Sequence, residues 1–303
     1  MLFILILLLI FIYILINIDH NNSIKTYNRE YSNLYDIIWN DEDRYKAEVK
    51  YISLTVGDKK LDSILDIGCG TGNHIKFWKE TWASSIITGM DISFSQLAKL
   101  HEKHPDINTV HGNFLDGRTW TSNTFDMITC MYEAGQYTSK VKTLLKNVYK
   151  WLKPGGIFVF HGIDPDRLCD GCDQTASNTS LPMKVDHRGH CNVLYPNLIY
   201  SSWWNKSIFT NWVRYNETFN TIRGNEWTLD WDVSNKVDEN VPIGAVKNDN
   251  LMTNGHSLYL LPPSRIMKIG RDVGFTKSSK DPILGVTEIW DQGSEEYFIF
   301  FQK

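Results

Sequence analysis

The segment Ile64-Leu-Asp-Ile-Gly-Cys-Gly-Thr-Gly-Asn73 sets Asp66, Gly68, Gly70 and Gly72 at alternate positions where an apolar run gives way to a polar one. Glycines let a backbone turn tightly and come close to a ligand, and a helix that starts after such a turn offers unpaired N–H groups. A carboxylate at the end of the strand adds a partner for a cationic or hydroxyl-bearing group. The dinucleotide form of this turn needs glycines at its first, third and sixth positions. Counted from Gly68 the sixth position is Asn73, so a nicotinamide oxidoreductase is the least favoured reading.

Elements of a definite kind must hold such a turn. From Asp62 to Phe160, apolar strand-like runs at 63–67, 86–90, 108–111, 126–130 and 157–160 alternate with amphipathic stretches at 75–81, 95–103 and 141–152. That rhythm predicts a mostly parallel sheet wrapped by helices. Lys153-Pro-Gly-Gly156 stops the long helix and turns the chain into the next strand. The segment 27–54, with Tyr35, Trp39 and a helix-like 45–52, reads as a helical preface. Past Gly162 the rhythm breaks into a loop rich in Cys, Asp and Asn, then an aromatic region at 199–212 and 227–231 spaced for antiparallel strands. It returns with a helix at 263–273, ended by Gly274, and a final hairpin at 285–290 and 296–302.

With these residues in this order, the chain resembles the class I S-adenosylmethionine-dependent methyltransferases over roughly residues 35–160, with a weaker echo near the C-terminus. The resemblance implies a Rossmann-like, doubly wound α/β sheet of seven mostly parallel strands, S-adenosylmethionine as cofactor, and a Gly-rich turn around its methionine part. It also implies that Asp91, in Thr88-Gly-Met-Asp-Ile-Ser93, takes the ribose hydroxyls, with Ile92 beside it. Gly112-Asn113-Phe114 stands where the family usually has Gly-Asp. Asn113 can still accept from the adenine amino group through its amide oxygen, and Phe114 can pack on the ring. Phe125-Asp-Met-Ile-Thr-Cys-Met-Tyr-Glu133 resembles the fourth strand, which brings Met131 to the cofactor, and Trp151-Leu-Lys-Pro-Gly-Gly-Ile-Phe158 resembles the helix, turn and fifth strand.

Methyl transfer from a sulfonium is an in-line displacement, so alignment and desolvation supply most of its rate and a base is optional. The acceptor side is expected at the C-terminal strand ends: Tyr132, Gln136 and Tyr137 after the fourth strand, His161 and Asp164 after the fifth. Tyr132, Tyr137 and His161 are the catalytic candidates. His161 has two readings, a hydrogen-bonded structural histidine and a general base. Tyr35 and Trp39 are either an aromatic cap over the cofactor or core packing. The aromatic residues of 199–231 are either one packed sheet face or a box for a methylated ammonium.

A net charge of −4 without a basic run disfavours nucleic acid. Five unevenly spaced cysteines do not form a disulfide framework. Cys169 and Cys172, followed by His187, His190 and Cys191, have zinc-like types, but the adjacent His190 and Cys191 are cramped, and no metal is expected. Residues 1–18, free of charge and with Asn17 as their only strongly polar side chain, have the length of a membrane span. Lys25 and Arg29 on its C-terminal side would place the following domain in the cytoplasm. The expected organisation is a transmembrane helix at 1–18, a linker at 19–26 and a methyltransferase domain at 27–303, with core 27–162 and 256–303 and an antiparallel lid inserted at about 163–255. The function expected is single-pass, membrane-tethered methylation of a small-molecule acceptor. A catalytically silent, cofactor-binding scaffold is the alternative.

Overall fold

A computed structural model describes residues 25–39, 41–168, 183–185, 191–195, 198–206, 210–221, 246–248, 251–277, 283–284 and 296–303. They fall into two compact units, one drawn from 1–31 and 169–259 and the other from 32–168 and 260–303.

The second unit is the α/β body. Its chain runs α1 (Arg29–Ile38, mostly in this unit), α2 (Glu42–Val56), β1 (Ser63–Ile67), α3 (Ile75–Thr81), β2 (Ile86–Asp91), α4 (Phe94–Lys103), β3 (Asn108–His111), β4 (Phe125–Cys130), α5 (Val141–Trp151) and β5 (Leu152–Ile163). β1 pairs in parallel with both β2 and β4, β2 with β3, and β4 with β5. From β1 the chain therefore winds one way to β3 and the other way to β5, which places a switch point at the C-terminal ends of β1 and β4, where open α/β sheets bind ligands. Ile64, Leu65, Ile67, Met127 and Ile128 have no measurable exposure, as expected for parallel strands covered on both faces. In α5, Val141, Leu144, Leu145, Val148 and Trp151 are buried, the i, i+3, i+4, i+7 stripe of an amphipathic helix.

β5 begins at Leu152, earlier than the sequence suggests, because Leu152 pairs with Phe125 before a register shift that precedes Met127. The Pro-Gly-Gly turn is absorbed into the strand's edge instead of preceding it. α6 (Pro263–Val273) opens with Pro at its first turn and ends at Gly274, φ 120°, the geometry each residue favours.

In the other unit, strands β6 (Met183–Val185), β7 (Cys191–Tyr195), β8 (Leu198–Lys206), β9 (Trp212–Thr221), β10 (Val246–Asn248) and β11 (Leu251–Tyr259) form a sheet ordered β10-β11-β9-β8-β7-β6. Every pairing is antiparallel. Ser202 and Asn254 are the cross-strand neighbours of Glu217. That register puts a carboxylate in the middle of a face made of Tyr200, Trp204, Tyr215 and Phe219, all buried. Both oxygens of Glu217 are occupied, by Tyr31 and Tyr200 on one side and Asn254 and His256 on the other. Tyr200, Trp204, Tyr215 and Phe219 thus pack one face of this sheet, whereas Trp212 lies on the other face against Tyr259; 227–231 lie outside the described residues.

The expected fold needs correction in three respects. The first is the sheet of the α/β body. Past α6 it gains β12 (Thr276–Lys277), β13 (Ile283–Leu284) and β14 (Glu296–Gln302), with β14 antiparallel to β5 and the other two paired along its opposite edge, so among the described residues it has eight strands and not seven. The two additions are strands of two residues, too short to show as apolar runs. Second, the antiparallel segment is a compact unit with its own six-stranded sheet. Third, the architecture shows no transmembrane helix: among the described residues no helix is long and apolar enough to cross a membrane. Residues 1–18 lie outside the described residues.

Candidate functional site

The Gly-rich turn follows β1 directly. Gly68, Gly70 and Gly72 have φ of 69°, 54° and 80°, a region that costs other residues roughly 1–2 kcal/mol. The N–H groups of Gly68 and Cys69 both donate to Met90 O, at 2.7 and 3.1 Å, which draws the turn onto the end of β2. The glycines differ in what faces them. A Cβ on Gly68 would meet Ala134 Cβ at 2.4 Å, and one on Gly72 would meet Leu100 Cγ at 2.8 Å. On Gly70 a Cβ would find only Gln96 Oε1, at 3.4 Å. Gly68 and Gly72 are therefore glycine for packing reasons, while Gly70 leaves open space over the backbone.

Asp91 braces that turn. Its Oδ2 accepts from Gly70 N–H at 2.9 Å and its Oδ1 from Ser93 N–H at 2.8 Å. Burial raises its pKa, against the pull of these backbone donors. Asp66 is 2% exposed and accepts from Thr129 Oγ1 at 2.7 Å. Burial pushes its carboxyl up to about 6, with His74, Thr129 and Trp78 working the other way. A buried, incompletely compensated carboxylate favours a cationic ligand group. Gln96 is 1% exposed; its Nε2 donates to Ser32 Oγ, while its Oε1, beside Gly70, has no hydrogen-bond partner. Open space over Gly70, an orphaned acceptor next to it and two buried carboxylates fit a cationic, hydroxyl-rich ligand such as S-adenosylmethionine.

Farther along the strand ends, Ile92 O accepts from His111 Nε2 at 2.9 Å, and the His111 ring stacks on exposed Phe94. Asn113 Oδ1 accepts from Leu115 N–H at 2.9 Å, an Asx turn; one lone pair of the oxygen expected to meet adenine is thus committed to the loop. Phe114 is half-buried, and its carbonyl accepts from Asn147 Nδ2. Met131, at the end of β4, is buried.

The chain then does something the sequence does not announce. Tyr132 and Glu133 are consecutive non-glycine residues at φ 45° and 55°. Tyr132 N–H donates to His161 Nδ1 at 3.1 Å. That assigns the ring proton to Nε2, which faces Glu296 Oε2 at 3.2 Å. With no exposure and both ring nitrogens engaged, His161 has the geometry of a structural histidine. Gln136 is buried, and its amide exchanges two hydrogen bonds with the backbone of Ile163, each 3.0 Å, tying the loop after β4 to the end of β5. Asp164 accepts from Asp166 N–H and caps its own turn. Tyr137 follows a short 3-10 turn at Ala134–Gln136 and is half-buried.

Four further residues complete the site, and no motif marks them. Arg44 of α2 donates to Glu48 Oε1 at 2.9 Å and to Glu296 Oε2 at 2.5 Å, with its guanidinium 4.7 Å over the Tyr132 ring. Glu48 also pairs with His74 at 2.7 Å. Burial works against Glu296's charge, but Arg44 and His161 overcome it and hold the carboxyl down at about 2. Only the i, i+4 spacing of Arg44 and Glu48 is visible in sequence. Trp39 meets the Tyr132 ring edge-on and Tyr35 lies against Trp39. Asp36 accepts from Thr71 of the Gly-rich turn at 2.5 Å, so the helical preface is fixed to that turn.

Among the described residues one trio of possible metal ligands, Glu133, His161 and Glu296, has its ligand atoms within 4.8 Å of one another. Arg44 and His161 both donate to Glu296 Oε2, and the Tyr132 amide donates to His161 Nδ1. Of the cysteine and histidine set, residues 169–182 and 186–190 lie outside the described residues and Cys191 opens β7.

Residues 64–156 match the family described as "Methyltransferase domain". A dTDP-4-amino-2,3,4,6-tetradeoxy-D-glucose N,N-dimethyltransferase of Saccharopolyspora spinosa is 26% identical over 152 residues, 48% of this chain and 59% of the relative. A dTDP-3-amino-3,6-dideoxy-alpha-D-glucopyranose N,N-dimethyltransferase of Streptomyces fradiae is 26% identical over 44% of this chain and 53% of the relative. The chain thus matches between half and three fifths of the length of these curated relatives. Among solved structures, Streptomyces venezuelae DesVI superposes with a TM-score of 0.63 at 16% identity, covering 89% of this chain and 97% of that one. CalS10, an amino pentose methyltransferase of Micromonospora echinaspora solved with S-adenosylmethionine bound, gives 0.61 at 15% identity, covering 91% and 98%. These structures share the fold. Residues 64–156 are thus a methyltransferase domain, the fold is that of the class I, Rossmann-like S-adenosylmethionine-dependent methyltransferases, and S-adenosylmethionine is the cofactor.

Proposed function

We propose that this protein methylates an amine nitrogen on a small polar molecule of the amino-sugar type. The observation that carries methyl transfer is the open backbone at Gly70 flanked by the buried carboxylates Asp66 and Asp91. The amine acceptor is supported by the two amino-sugar relatives and by rings of Trp39, Tyr45 and Tyr132 gathered at the end of β4, which suit the ammonium that forms on transfer to a neutral amine.

When bound, the cofactor supplies an electrophilic methyl group on a sulfonium. Asp66 opposes the cationic end of the ligand and Asp91 accepts from its hydroxyls while holding the Gly70 turn. The chain's own contribution is alignment and exclusion of water, worth several kcal/mol in well-oriented reactions. With both nitrogens of His161 engaged, the acceptor amine enters already neutral, and its proton leaves to solvent after transfer.

The test is incubation of the full chain with methyl-labelled S-adenosylmethionine and three acceptors: an amine-bearing nucleotide sugar, a malonyl thioester and a sterol. Label on the amino sugar's nitrogen is expected. Label confined to the thioester's carboxylate or to the sterol refutes the amine reading but leaves methyl transfer intact.

A further inference from the structure

We infer that Arg44, Glu296 and His161 are positioning residues that lock the Tyr132–Glu133 turn into a left-handed shape as the acceptor-side wall of the methyl-transfer site. The inference rests on the methyltransferase reading above and adds Arg44 and Glu296, which no motif of the chain identifies.

The contacts form a closed ring. Tyr132 N–H donates to His161 Nδ1, His161 Nε2 donates to Glu296 Oε2, Arg44 Nη2 donates to the same oxygen, and the Arg44 guanidinium returns to the Tyr132 ring at 4.7 Å. One residue is therefore held at both its backbone and its side chain by groups bridged through a single carboxylate oxygen. The side chains of His161, Glu296 and Arg44 are 0%, 6% and 12% exposed, so little solvent competes for these bonds. α2, β5 and β14 supply them, three elements far apart in sequence that all converge on the end of β4.

The turn needs such a hold. Two consecutive non-glycine residues with positive φ persist only where their surroundings over-determine them, and such strain concentrates at functional sites. Gly68, of the cofactor turn, could not carry a Cβ without meeting Ala134, the next residue after Glu133. The clamped turn and the cofactor turn are thus neighbours in space. A packing role alone would require Tyr132 to be buried somewhere; it would not require its φ to be left-handed or its amide to meet a histidine.

The test uses the full chain and two readouts. In the first, Glu133→Gly and Glu133→Ala are compared in the natural background and in Glu296→Gln. Both remove the Glu133 side chain, so their difference reports the left-handed φ alone. Gly should exceed Ala in Tm by about 2–8 °C in the natural background, and the gap should shrink once Glu296→Gln has loosened the clamp. In the second, with the amine-bearing nucleotide sugar, Glu296→Gln and Arg44→Met should lower kcat about 10- to 100-fold at a temperature where they are folded. Their cofactor Kd should stay within about twofold of the natural chain, and Arg44→Lys should recover part of the loss. An equal Gly–Ala gap in both backgrounds, or folded clamp variants with full kcat, overturns the inference. If the natural chain does not turn over the amine, the function reading falls on that result, and the Gly–Ala comparison still decides the clamp.

Discussion

Replacing Asp91 by Ala removes the carboxylate that accepts from Gly70 N–H at 2.9 Å and Ser93 N–H at 2.8 Å. Both donors would lose a charged acceptor in a region where Asp91 itself is 9% exposed. Leaving a buried donor unpaired costs about 1–3 kcal/mol, so two such losses give about 2–6 kcal/mol, the lower part applying if water reaches Gly70. For a body of this size 1 kcal/mol corresponds to roughly 2–4 °C, and the ligand-free Tm should fall by about 4–24 °C. Affinity for S-adenosylmethionine should fall as well. Each lost charge-assisted hydrogen bond to a ribose hydroxyl is worth about 1.5–3 kcal/mol, one to two powers of ten in Kd. Differential scanning calorimetry without ligand and titration calorimetry at low temperature separate the two effects. Asp91→Asn, which keeps one acceptor oxygen, should lie between. A reduced Tm with unchanged Kd in the folded variant would make Asp91 a loop brace and no ligand contact; an unchanged Tm would refute its bracing role.

Asp66 should make cofactor binding depend on pH. Its folded pKa, raised to about 6 by burial, means that it is protonated as pH falls through 6, so affinity for a cationic ligand should drop there; a flat profile from pH 5 to 8 would contradict the assignment. Glu296 runs the other way. Held at about 2, below its ordinary 4.5, it contributes stability that is present above pH 4.5 and lost as pH falls toward 2. Glu296→Gln should therefore be less stable at pH 7 but lose less between pH 4.5 and 2, as acid titration of Tm would show. Gly70→Val should abolish cofactor binding with a smaller loss of Tm than Gly68→Val, because only the latter meets Ala134 at 2.4 Å in addition to the φ penalty. Equal Tm losses would mean that the space over Gly70 is not open. Tyr137→Phe should lower kcat for the amine acceptor and leave cofactor Kd unchanged; a parallel loss of both would move Tyr137 out of the acceptor side.

The amino-acid sequence determined the parts of this protein that obey short-range rules. Parallel strands covered on both faces must be nearly continuous apolar runs, so β1, β2 and β4 are legible as such, and α5 shows its stripe at helical spacing. The Asp66–Gly72 turn is legible because a tight strand-to-helix turn admits few residue types, and Asp91 because it stands one helix and one strand further on. Only the tertiary structure decided the rest. Nothing local tells Gly70, with open space above it, from Gly68, which faces Ala134. His161 carries no mark of its partner Glu296, which lies 135 positions away; antiparallel pairing of β14 with β5, Phe298 opposite His161, brings the two strands together. Arg44 and Glu48 read as an ordinary helical ion pair until packing buries them, and Tyr132 and Glu133 have no residue signature for a left-handed turn, since the bonds that impose it come from three other elements. Local sequence specifies backbone shape and burial pattern, whereas the pairing of charges inside a core depends on which distant elements meet.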